Sequence, residues 1–149
     1  MHKVDESWLE QLSDDEKTWL AIAMAGLIVS DGVVDASELE YLGSTIAFVK
    51  NPDTIKQIIQ LVRDRRLPPM KNLNVSGLLA YQMLKTLSVV AVVDKKFSRN
   101  EAEFLKIAGN RLGLDPPFIE EVLKLAKIQV QFLREDARLN EIASHIVRQ

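Results

Sequence analysis

The chain has 149 residues, 47% of them hydrophobic, enough for a single domain to bury a core without covalent staples. Its 21 acidic and 19 basic residues leave a net charge of −2, which offers no general attraction to nucleic acid or to an anionic bilayer. With no cysteine, disulfide frameworks, thiolate metal sites and cysteine nucleophiles are excluded together.

Residues Met1 to Trp8 have neither a basic start nor an apolar stretch behind it, so no secretory leader is expected and the expected location is the cytoplasm. A short helical turn is predicted around Trp8. Ser13-Asp14-Asp15-Glu16 has the form of a capping box, in which the serine oxygen accepts the Glu16 amide and the glutamate reaches back to the serine amide. The first long helix follows, apolar on nearly every side through Trp19, Leu20, Ile22, Ala23, Met24, Leu27, Ile28 and Val29, as befits a central helix. Gly32 is placed to end it in a left-handed turn. Asp35 and Glu38 form a second capping box before Leu39, Leu42, Ile46 and Val49. Asn51 caps a third helix with Pro52 as its first residue, and Ile55, Ile58, Ile59 and Val62 make its buried face.

Leu67-Pro68-Pro69-Met70 cannot be helical, because paired prolines remove amide donors and push the preceding residue to extended geometry. This stretch joins two halves. The fourth helix, from about Val75 to Val93, corresponds to the first, and Ser98 with Glu101 caps a fifth carrying Phe104, Leu105, Ala108 and Leu112. Asp115-Pro116 opens a sixth with Phe118, Val122, Leu125, Ala126 and Leu133 as its stripe. A seventh, over 135–149, shows Leu139, Ile142, Ala143, Ile146 and Val147. Trp19–Val29 is too short to span a bilayer, which takes roughly 20 residues, and Leu78–Val93 carries Gln82, Lys85 and Ser88, so both read as buried bundle helices. The expected fold is therefore all-α: one domain of about seven helices over 1–149, in two halves (about 13–66 and 75–133) packed around two apolar central helices, without membrane insertion.

The halves repeat each other. Asp31-Gly32-x-Val34-Asp35-x-x-Glu38-x-x-x-Leu42 returns 63 residues later as Asp94-x-x-Phe97-Ser98-x-x-Glu101-x-x-x-Leu105, and Asn51-Pro52 returns as Asp115-Pro116 at an offset of 64. This pair of motifs resembles the signature of the TerB-like family, named for a tellurite-resistance protein, over residues from about Ser13 to Leu133. The resemblance implies two related multi-helix halves around apolar central helices, acidic turns that bind a divalent metal, and a non-enzymatic bacterial stress-response role exerted through protein partners. The metal residues it implies are Asp31, Asp35, Glu38, Asp94 and Glu101, and the cofactor is a divalent cation such as calcium, magnesium or manganese. Hard cations of this kind take several oxygen ligands, which carboxylates gathered at a turn can supply. In the second copy Lys95 replaces Gly32 and Ser98 replaces Asp35, so the family pattern is complete only in the first half.

A second reading of the same residues needs no metal. Asp35 and Ser98 as N-caps, with Glu38 and Glu101 as reciprocal partners, are each worth about 1 kcal/mol as helix starts, and the domain is then a structural helical protein–protein interaction module. Arg63, Arg65, Arg66 and Lys71 form the densest basic cluster. They read as a patch for phosphate or an acidic partner, or as a solvated helix end whose cations complement the dipole. No aromatic platform of the kind that binds single-stranded nucleic acid accompanies them. The two histidines, His2 and His145, lie at opposite ends of the chain, and no phosphate-binding glycine loop, zinc-protease helix or nucleophile elbow occurs, so no enzyme activity is expected. The oligomeric state stays open at this level.

Overall fold

The computed structural model describes residues 8–30, 36–47, 49–92 and 97–146, with the side chains of 36–38, 41 and 45 outside that description. The described residues are all-helical, with six α-helices: α1 (Asp14–Ser30), α2 (Ala36–Ile46), α3 (Pro52–Asp64), α4 (Gly77–Val92), α5 (Arg99–Arg111) and α6 (Pro116–Ser144). A 3₁₀ turn, Leu9–Gln11, precedes them where the short N-terminal helix was predicted. Among the described residues no helix is long and apolar enough to cross a membrane.

Each helix start follows from local chemistry. Ser13 and Glu16 form the reciprocal box ahead of α1, with the Ser13 amide donating to Glu16 Oε1 at 2.8 Å and the Glu16 amide to Ser13 Oγ at 3.2 Å. Asn51 Oδ1 accepts from the amides of Asp53 and Thr54 while Pro52 takes the first helical position, where its missing N–H costs nothing. Ser76 caps α4 through the Leu79 amide. Ser98 and Glu101 form the second box at α5. The predicted Gly32 turn and Asp35–Glu38 box lie outside the described residues.

Helices α1 and α4 are the two central elements. α1 packs against α2 and α3 of its own half and against α4 and α5 of the other, while α4 packs against α1, α2, α5 and α6. Leu20, Leu27 and Ile28 of α1 and Met83, Leu84 and Leu87 of α4 are wholly buried. Two buried hydroxyls on α4 are satisfied by their own helix: Thr86 donates to the Gln82 carbonyl and Ser88 to that of Leu84. α1 also comes close to α5, since a Cβ at Gly26 would collide with the Phe104 ring and stand 3.2 Å from Pro68 Cδ. Gly26 is thus required by proximity rather than by backbone conformation.

Three sequence expectations are corrected. The predicted sixth and seventh helices are one continuous 29-residue helix, α6. Nothing between Phe118 and Ser144 can stop it, since no proline or glycine occurs there. The buried face of α6 is also rotated from the predicted stripe, for Ile119, Val122, Leu123, Ala126 and Val130 are buried whereas Phe118 and Leu125 are exposed. Finally, α2 ends at Ile46, so the buried Val49 lies beyond the helix, where its amide donates to the Ile46 carbonyl.

Candidate functional site

Of the five carboxylates proposed as metal ligands, Asp31, Asp35 and Asp94 lie outside the described residues, and Glu38 falls in the first turn of α2 with its side chain outside them. Glu101 is described. Only 1% exposed, it stands in the first turn of α5, where its Oε1 accepts the Ser98 amide at 3.0 Å and its own amide donates to Ser98 Oγ at 3.1 Å. Its geometry is that of a capping residue held inside the protein. No cluster of three or more metal-ligating side chains occurs among the described residues.

A well-formed concavity lies elsewhere, between α1, α3 and the connector that follows α3. Asp15, Thr18, Trp19 and Ile22 line one wall, and Gln57, Gln60, Leu61 and Asp64 the other. Both sets have the i, i+3, i+4, i+7 spacing of a single helix face, so two packed helices present two matching stripes. The third wall is Arg66 with residues 68–73, and the groove, open on one side, has a volume of about 650 Å³, within the range of sites that hold a small molecule or a few side chains of a peptide.

The connector wall is pinned from both sides. Trp19 Nε1 donates to the Lys71 carbonyl at 2.7 Å. Arg111, at the end of α5, donates from Nε to the Met70 carbonyl at 3.1 Å and accepts the Leu73 amide on its own carbonyl at 2.9 Å. Pro68 is buried beneath this segment, and the two prolines restrict its backbone further. The groove is therefore built on rigid elements although one wall has no regular structure.

Its chemistry is apolar below and charged above. Half-buried Ile22, Leu61, Met70 and Leu73 make the floor with Trp19. At the rim stand exposed Asp15 and Asp64, the latter accepting from Gln60 Nε2 at 2.8 Å, together with exposed Arg66 and Lys71. Arg66 and Lys71 form no ion pair among the described residues, and exposed Arg63 and Arg65 adjoin them at the end of α3. Arg65 itself closes α3 in a left-handed conformation (φ 54°), its amide donating to the carbonyls of Leu61 and Val62.

The basic cluster and the prolines stand out in the sequence, whereas the joining of Trp19 to them in one site does not. No local pattern marks it, because Asp15 and Thr18 belong to the all-polar start of α1, Asp14 to Thr18, ahead of its apolar run.

Compared with protein-family models, with curated proteins and with solved structures, the chain matches none. The TerB-like resemblance accordingly rests on the residues themselves.

Proposed function

We propose that the chain is a non-enzymatic interaction module of the TerB-like kind, which takes part in a bacterial stress response by receiving a segment of a protein partner in the groove between α1, α3 and the connector. The observation that carries this reading is the groove itself: an apolar floor on a pinned frame, with two cations at its rim that have no ion-pair partner of their own among the described residues. An occupant with an apolar anchor and a nearby carboxylate matches both features. The register of the helices supports the family kinship, since Asp14 and Gly77, and likewise Ala36 and Arg99, are 63 residues apart, and Pro52 and Pro116 are 64 apart.

Selection from a random displayed-peptide library tests the proposal. Bound sequences are expected to share an apolar residue flanked by Asp or Glu, and to lose binding about tenfold or more against Lys71→Glu combined with Arg66→Glu. Failure to enrich any sequence, or binding indifferent to both substitutions, would refute it.

The acidic turn carries a second reading, as a weak divalent-metal site formed chiefly by Asp31, Asp35 and Glu38, with Asp94 and Glu101 from the second copy. It is favoured by the completeness of the motif in the first half, whereas the capping role of Glu101 favours the alternative of purely structural caps. Calcium, magnesium or manganese at millimolar concentration is expected to raise the melting temperature, and Asp31→Asn with Glu38→Gln to abolish the rise while preserving the fold. An unchanged melting temperature in all three metals leaves the capping reading in place.

A further inference from the structure

Helix α6 carries two apolar stripes. Ile119, Val122, Leu123, Ala126, Val130 and Leu133 face the protein. Roughly 150° around the helix lies a second row, Phe118, Leu125, Phe132 and Leu139 at strict seven-residue intervals with Ile128 and Ile142 between them, and all six are exposed by 39% to 61%. Beyond Leu133 the helix leaves the body altogether: from Arg134 to Ile146 only Ala137 is even half-buried. A projecting helix of about a dozen residues is marginal in water without something packed on it.

We infer that this stripe is the seam of a homodimer, in which α6 of one copy packs against α6 of a second copy as a two-helix coiled coil. A repeat of seven over three heptads drifts by about 20° per heptad on a straight helix, so it stays facing a partner only when that partner is a helix supercoiling with it. A second α6 has the same repeat and length, and an isologous contact brings the two stripes into register by symmetry. The size is sufficient. Six large apolar side chains about half exposed leave on the order of 600 Å² of apolar surface per copy, as large as the largest patch of a typical monomer, and pairing two stripes removes on the order of 1,200 Å² in all, the lower edge of a standard stable interface.

The two seam positions that are not apolar are Glu121 and Glu135. Each is paired within its own helix, Glu121 with Lys124 at 3.3 Å and Glu135 with Arg138 at 2.9 Å, so neither brings an isolated charge to the contact. Charge also separates this surface from a bilayer-binding one: α6 has four cations against five carboxylates, where a helix lying on anionic lipid needs a basic polar face.

Sedimentation equilibrium of the full chain, from micromolar to near-millimolar concentration, is expected to give twice the 16.8 kDa of one copy. Phe132→Glu and Leu139→Glu, both at positions exposed in the single chain, are expected to weaken dimerisation by at least about 100-fold while the thermal unfolding of the core persists. A mass of one chain throughout this range, or a dimer that survives both substitutions, would overturn the inference. In the first case the stripe serves a different partner or none. Peptide binding in the groove is independent of either result.

Discussion

Helix α3 starts with Pro52 behind Asn51 and α6 with Pro116 behind Asp115, yet the first stops after 13 residues while the second runs for 29. At the offset of 64 that aligns the two starts, Pro68 and Pro69 of the first half stand opposite Phe132 and Leu133 of the second. Two residues therefore decide the difference. Where the prolines stand, the chain closes with left-handed Arg65 and turns back to wall a groove; where they are replaced, the same helix continues past the body as an arm. Packing follows suit, for α4, α5 and α6 all contact one another, while α2 and α3 each rest mainly on α1.

Substitutions that exchange features between the halves can break or sharpen this comparison. The largest effect is expected from Leu20→Ala in α1 and Met83→Ala, its counterpart in α4, both wholly buried: each should cost about 2–5 kcal/mol by urea denaturation. Similar costs would mark the central helices as equivalent, and a difference beyond about 2 kcal/mol would show one half to dominate stability. Next comes Gly26→Val, which gives α1 the residue that α4 carries at position 89. A loss of about 1–3 kcal/mol is expected because Phe104 and Pro68 fill the space, with partial recovery when Phe104→Leu is added.

Cap removal is smaller. Ser98→Ala is expected to lose about 1 kcal/mol, and Ser13→Ala less, because the Ser98 box is part-buried around Glu101 whereas the Ser13 box is exposed to water that can replace the lost bonds. The least change in the stability of a single copy is expected from Leu139→Pro, under about 1 kcal/mol, since none of the described residues from Glu135 onward is buried. Its signature is instead a loss of on the order of ten helical residues by circular dichroism, as the projecting part of α6 is cut away.

Helix starts were legible because they depend on residues within one turn: Ser13 with Glu16, Asn51 with Pro52 and Ser98 with Glu101 all act as the sequence predicts. The apolar-all-round character of α1 and α4 likewise announced their central position. Apolar spacing on α6 misled, since two stripes on one helix are each periodic, and periodicity alone does not say which one meets the core; Phe118 and Leu125 belong to the outer stripe. The predicted break near residue 135 had no proline or glycine to support it. The groove was legible only in fragments, because its walls meet through the Trp19–Lys71 bond, 52 residues apart in the chain, a contact that no local pattern encodes.

That bond, together with the two between the connector and Arg111, has a consequence for how the protein comes apart. The segment joining the halves is held by the central helix before it and by the fifth helix after it, so it works as a clasp rather than a tether. Loosening either half strains the anchor of the other, and a cut between residues 66 and 73 should release no freely folded fragment: the two parts will stay associated until they melt together.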